Sequence, residues 1–441
     1  MNVIVKTICV AGVMAAPGSL SPVPAAETNA LVLTPSLISQ LSEEMRTNHP
    51  VLRASLARTS AAEANSKTVR VWEDPMLKLG GMLSETEMRA EDGDVIYGVE
   101  QKLPLFGKPQ LARRVAEAEL VTEQANADYR FQQLRRDLAQ ALFRTALADR
   151  TAQIGEQDLG WLQTMARNME DRYATGDATQ AQVLRIQNER ARRTDQLHTD
   201  RAKLEHERVA VNRLLNRDLH SGWPTLQLPG VASPVRYSRR LIDLALKYEP
   251  RLKLLRNEIQ KSEAVVRMTR RQRFPDLSVG VQGRSYTGTG DFRQAEVMVG
   301  FNFPWGNNRR YRSEIKREEA LLEATAFDAT DYELTLREEV HLLTVKIDAA
   351  WREAVLYRDE IIPRSEQALA AAHAAWMSGG SGMFLDVMET RRMLVEGQLM
   401  YARATAEQYS VLSDLVLCCG LGDLEALQMI GAGPEHEALK P

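Results

Sequence analysis

The side chains best able to do chemistry are spread too thinly along this chain to do it together. Its seven histidines include no pair at the i, i+4 spacing of a helical metal site. Cys418 and Cys419 are sequence neighbours, and disulfide geometry wants its two Cα atoms well apart, so they read as small apolar residues near a helix end. Among the 16 methionines, Met165 with Met169, or Met383, Met388 and Met393, invite a soft-metal relay; helical methionine is also ordinary core filler. No P-loop, GxGxxG or nucleophile elbow is present, and the glycines from Gly283 to Gly290 are followed by no helix that would hold a phosphate. The residues therefore point to no enzyme, no cofactor and no metal site.

What must be positioned is surface and shape. The 441 residues carry 56 basic and 59 acidic side chains, a formal net charge of -3, which supplies no basic excess for nucleic acid. The hydrophobic fraction of 44% is enough for a packed core. Mean hydropathy is -0.33, and no run of eighteen apolar residues occurs, which excludes a polytopic helical membrane protein but not a β-barrel. Lys6, the apolar run from Thr7 to Ala16, the break at Pro17-Gly18 and the small residues of Val23-Pro24-Ala25 read as a cleaved secretory signal over residues 1–26. Cys9 leaves with it, and no lipobox surrounds that cysteine.

The chain is duplicated. Leu41, Pro50, Leu52, Glu63, Ala64, Arg70, Pro75, Leu77, Gly80, Val99 and Pro104 recur two hundred residues later as Leu241, Pro250, Leu252, Glu263, Ala264, Arg270, Pro275, Leu277, Gly280, Val299 and Pro304. Each copy opens with a helix, 36–72 or 238–273, followed by two runs of period-two alternation and a long stretch of helical periodicity. The spacing predicts a first repeat over 27–219, with a β-hairpin at 76–104 and a helical hairpin at 108–216. A linker follows over 220–237. The second repeat spans 238–420, with a β-hairpin at 276–304 and a helical hairpin at 308–419, before a flexible tail over 421–441. The fold class is mainly α with a small β part. A helix over 110–172 at ~1.5 Å per residue is roughly 95 Å long, so the molecule is elongated. Glycine-rich breaks at Arg172 to Asp177 and Trp376 to Gly382 turn each long helix back.

Four strands of this length in an exported protein suit a membrane β-barrel but cannot close one, since an open edge leaves backbone groups unpaired in lipid. Several chains must share a barrel. Two would fill its interior with side chains, whereas three would leave a lumen. In that barrel the odd-numbered Leu77, Leu79, Val95, Tyr97, Val99, Leu277, Val279, Val281, Val297, Val299, Phe301 and Phe303 would face lipid. Lys78, Glu100, Lys102, Gln282, Glu296 and Asn302 would face the water inside.

Leu103-Pro104-Leu105-Phe106-Gly107-Lys108, Phe274-Pro275-Asp276-Leu277-Ser278-Val279-Gly280, Phe303-Pro304-Trp305-Gly306 and the stretch from Arg172-Tyr173 to Leu184 resemble signatures of the TolC-like outer-membrane efflux channel family. Trp72-Glu73-Asp74-Pro75 reads closer to its heavy-metal-exporting members. The resemblance spans nearly the whole mature chain. It implies a homotrimer in the outer membrane of a Gram-negative bacterium, with a twelve-stranded β-barrel continuous with a long periplasmic α-barrel. Such a channel is the exit duct of a tripartite efflux or secretion system and docks on a periplasmic adaptor and an inner-membrane transporter. By the same resemblance Tyr173, Gly176, Asp177, Gly379, Gly380 and Asp386 form the tip that contacts the adaptor and closes the periplasmic mouth. The glycines would also serve simply to permit the reversal. Asp177 or Asp386, repeated three-fold, would make a cation-selecting ring, unless it serves as a helix N-cap. Two residues depart from the family pattern: Gln182 stands where the tip motif has Asp, and Trp376 replaces the tyrosine supplied by Tyr173. The competing reading is a soluble periplasmic coiled-coil adaptor.

Overall fold

A computed structural model describes residues 30–69, 73–82, 94–286, 290–302, 304–378, 384–422 and Leu424, and the statements below concern those residues. The expected signal segment 1–26, Phe303, Gly379 and Gly380 lie outside them. In chain order the elements are β1 (Leu31–Val32), α1 (Pro35–Asn48), α2 (Pro50–Thr68), β2 (Met76–Met82), β3 (Asp94–Leu103), α3 (Lys108–Thr175) and α4 (Gln180–Leu215). The second half follows with β4 (Leu226–Gln227), α5 (Arg239–Tyr248), α6 (Pro250–Gln272), β5 (Leu277–Tyr286), β6 (Phe292–Phe301), α7 (Asn308–Leu356), α8 (Ile362–Met377) and α9 (Phe384–Cys418).

The opening helix of each repeat is two helices. Proline has no N–H and pushes the residue before it out of the α region, so His49 (ψ 126°) and Glu249 (ψ 125°) are corners. Both corner side chains turn inward and cap the next helix. His49 Nδ1 accepts from Val51 N–H at 3.3 Å, and a Glu249 carboxylate oxygen accepts from Leu252 N–H. The long helices answer each other in length. α3 has 68 residues, roughly 100 Å at ~1.5 Å each. In the second repeat α7, a π turn at Tyr357–Ile361 and α8 run without interruption, and 49 + 5 + 16 gives 70 residues. The π turn has a cause: Pro363 cannot donate to the carbonyl four residues back, and one wider turn absorbs the missing bond.

The main core lies at the waist, where both repeats meet. Leu138, Leu142 and Phe143 of α3 pack with Leu214 and Leu215 of α4, Leu336 and Ile347 of α7, and Leu412 and Leu415 of α9. The 220–237 segment is a strap pinned to this core. The wholly buried Gln408 accepts from Ala232 N–H at 3.0 Å and donates to Ala232 O at 2.8 Å, and Tyr409 donates to Gly230 O at 2.7 Å. β4 pairs in parallel with β1, and Leu226 N–H donates to Asp149 at 3.0 Å. Burial pushes the Asp149 carboxyl up, while that N–H and the Arg208 guanidinium pull it back. Leu421 and Leu424 also pack on the waist core.

The four remaining strands form one antiparallel sheet in the order β2-β3-β5-β6. Its register keeps odd residues opposite odd residues across all three pairings: Leu77 faces Val99, Val99 faces Val281 and Val281 faces Val297. One irregularity breaks the count. Arg284 pairs with Gln294 but Ser285 pairs with Phe292, so the extra residue in β6 carries the even-numbered Phe292 onto the odd face.

Burial, and secondarily the charge of Arg213, hold the His49 imidazole below its ordinary value. A lowered folded value means that His49 contributes full stability above the unfolded value of ~6.5 and loses it as pH falls through that range. Comparing melting of the wild type with His49→Asn, which keeps the cap, from pH 7.5 to 5 should show the wild type losing more stability than the variant.

Candidate functional site

α3 ends because Gly176 takes φ 87°, a left-handed conformation that costs glycine little. Gly176 N–H donates to Tyr173 O at 3.1 Å and Asp177 N–H to Arg172 O at 2.7 Å, which satisfies the last carbonyls of the helix. Asp177 does not cap α4. Its carboxylate accepts from Thr175 Oγ1 at 3.0 Å, and Thr179 is the N-cap, in a reciprocal box with Gln182. Gln182 Oε1 accepts from Thr179 N–H at 2.9 Å, so the glutamine that departs from the family motif is occupied in starting the helix. Tyr173, Gly176 and Asp177 thus sit within one turn, and Tyr173 is half exposed.

The second tip is built differently. Trp376, the counterpart of Tyr173, is 2% exposed and packs on Phe384. Arg172 lies 4.7 Å over its ring, so the first hairpin holds the second through this pair. Asp386 is exposed in the first turn of α9, at the positive end of the helix dipole. Met165, Met169 and Met388 are buried in an apolar cluster with Leu162, Ile186, Phe384 and Val387 between the hairpins, whereas Met393 is exposed.

Sequence reasoning missed the charged pairs above the tip. Asp158 of α3 is 8% exposed and receives two arginines. Arg391 Nε of α9 donates to Oδ1 at 2.9 Å, and Arg193 Nε of α4 lies 2.9 Å from Oδ2. Arg392 reaches Glu189 at 3.2 Å. Asp158 and Arg391 are 233 residues apart, and no local spacing announces their meeting.

At the other end of the helices the sheet separates two chemistries. Leu77, Leu79, Tyr97, Val99, Val297 and Phe301 are exposed, and with Leu277 and Val279 they share the odd face. Tyr97 lies over Gly283, where a Cβ would come within 2.8 Å of its ring. On the even face Lys78 is paired with Glu100, and Gln282 stands opposite Glu296. At the helix end of the sheet Lys102 of β3 pairs with Glu73 at 2.8 Å, and Asn302 Oδ1 accepts from Asp276 N–H at 2.6 Å. The strand-to-helix junction joins both repeats. Phe106 (φ 61°) and Gly107 (φ 72°) turn the chain from β3 into α3. Lys108 Nζ then donates to Phe274 O at 2.7 Å and to Asp276 at 2.6 Å, and Phe106 stacks on Phe274 with centroids 5.3 Å apart.

No helix among the described residues is long and apolar enough to cross a membrane. No curated protein sequence matches the chain. Solved structures are similar in fold. The outer-membrane channel OprN superposes with a TM-score of 0.76 at 16% identity, covering 89% of this chain and 91% of that one. The outer membrane protein VceC from Vibrio cholerae gives 0.73 at 16% identity, covering 88% and 97%, and CusC gives 0.76 at 15% identity, covering 92% and 97%. The sequence pattern described as outer membrane efflux protein matches residues 41–217 and 241–421, one span in each repeat. By that match the chain belongs to the outer membrane efflux protein family, channels of the outer membrane with a long helical part in the periplasm.

Proposed function

We propose that three copies of this chain join into a twelve-stranded barrel continuous with a helical barrel, serving as the exit duct of a tripartite efflux or secretion system. The observation that carries this reading is the odd-face register, apolar but for Gln101 and Ser285, in a sheet whose outer strands β2 and β6 each have one neighbour among the described residues. Because the order holds four antiparallel strands, β6 of one copy and β2 of the next also run antiparallel. Head-to-tail joining therefore preserves the alternation around the ring. Ten-residue strands at ~3.3 Å per residue, tilted by ~40°, rise about 25 Å, the height of an apolar band in such barrels. The lipid would meet Leu77, Leu79, Tyr97, Val99, Leu277, Val279, Val297 and Phe301. The lumen would meet Lys78, Glu100, Lys102, Gln282, Glu296 and Asn302. Phe303 would belong with the first group.

A second surface supports the assembly. Phe327, Leu334, Leu342, Val345 and Leu356 are exposed along α7, a spread too long to be chance surface apolarity and suited to a neighbouring copy's helices. The soluble-adaptor alternative leaves both this stripe and the odd sheet face in water.

The tip would be the mouth. Tyr173, Gly176, Asp177, Gly379, Gly380 and Asp386 are the proposed contacts with a periplasmic adaptor bound to an inner-membrane transporter, and three copies of Asp386 would ring the constriction. Asp158 would act as the latch between hairpins, since one carboxylate receives an arginine from the neighbouring helix and another from the second repeat. The two-state requirement is that the adaptor favours the unlatched packing.

Mass determination of detergent-extracted particles should find a trimer for the wild type. Leu334→Asp with Phe327→Asp should shift it towards monomer, and an unchanged trimer would remove α7 from the interface. Tyr173→Ala or Asp386→Asn should abolish efflux-dependent resistance without lowering trimer yield; resistance at the wild-type level would defeat the tip assignment. Asp158→Asn should raise the open-to-closed ratio of channels in planar bilayers about ten-fold, in keeping with ~1.4 kcal/mol per decade for a closed state that loses its latch. A wild-type ratio would dismiss the latch.

A further inference from the structure

Four guanidinium groups surround one open groove between α4 and α9, above the tip. Arg192 and Arg193 come from α4, Arg391 and Arg392 from α9, and the lining includes only two carboxylates, Asp158 and Glu189. The groove holds a cavity of about 220 Å³, enough for a small oxyanion and its water. The charge count is four positive against two negative.

The pairing is uneven as well as incomplete. Arg391 takes one oxygen of Asp158 in a hydrogen bond, and Arg392 takes Glu189. Arg193 sits against the other Asp158 oxygen as an ion pair, yet its Nε and Nη2 are buried without a hydrogen-bond partner among the described residues. Arg192 is exposed and has no charged partner there either. A buried donor such as Nη2 left without an acceptor is unfavourable, and like charges gathered in one groove repel. A tetrahedral oxyanion relieves both: it supplies acceptors to several guanidinium forks at once and cancels the surplus charge.

We infer that this groove is an anion site, specific for a small doubly charged oxyanion of the phosphate or sulfate kind. The ligand spans a helix of the first repeat and a helix of the second. Its binding therefore clamps the two hairpins together, on the same side of the balance as the Asp158 pairings. The binding step itself needs no assumption about conduction.

The test uses the full chain purified in detergent, with sodium phosphate, sodium sulfate and sodium chloride compared at equal ionic strength. Phosphate should raise the melting temperature saturably by about 3 °C beyond chloride, with a matching saturable heat in titration calorimetry. Arg192→Gln removes a side chain that pairs with nothing, so folding is spared, and it should weaken phosphate binding at least about five-fold. Glu189→Gln removes competing negative charge and should tighten it. Equal effects of phosphate and chloride, or wild-type affinity in both variants, overturn the site. A retained phosphate shift with phosphate-independent conductance would overturn the clamping alone and leave the channel reading untouched.

Discussion

A backbone N–H or C=O that enters hydrocarbon without a partner costs several kcal/mol, and a four-stranded sheet has two edges full of them. Everything unusual about this chain is arranged around that constraint. Its strands are short, even in number and largely apolar on one face, as a share of the proposed ring would be. The long helices hang from the strands through a junction tied by Lys108, Phe274 and Asp276, residues drawn from both repeats. That knot sets the direction in which the sheet hands over to the long helices. The proposed trimer is the smallest assembly that satisfies the edges and still leaves a lumen.

Duplication did not produce two identical halves. His49 and Glu249 occupy the same corner, each preceding a proline and capping the next helix, yet one side chain disfavours protonation on burial and the other disfavours ionisation. Tyr173 is half exposed where Trp376 is sealed beneath Arg172. The second long helix alone carries a π turn, forced by Pro363. Backbone roles were kept while the side chains at the tip diverged, as expected if the two hairpins do different work at the mouth.

The interior near the tip combines an apolar cluster with buried charge pairs. Methionines that repack easily lie between the hairpins, and one buried carboxylate serves two arginines. A packing of this kind would suit the proposed two-state mouth. Elsewhere, Gln408, Tyr409 and Asp149 tie the 220–237 strap to the waist core through hydrogen bonds to its backbone.

Local pattern determined the kinds of element and their order. Alternation in β2, β3, β5 and β6 and the heptad-like spacing of Leu336, Val340, Leu343 and Ile347 are written within a few residues of each other, and so is the repeat. Even the sharing of one face by Leu77, Val99, Val281 and Val297 follows from period two once the register is known. Only the tertiary structure decided the rest. The bulge that turns Phe292 to the odd face depends on which residue of β5 it meets, the strap depends on a glutamine 176 residues beyond Ala232, and the four-arginine groove depends on helices from different repeats lying side by side. Such pairings leave no trace in local periodicity, because hydrogen bonds and charges act across a few ångströms of space and are indifferent to distance along the chain.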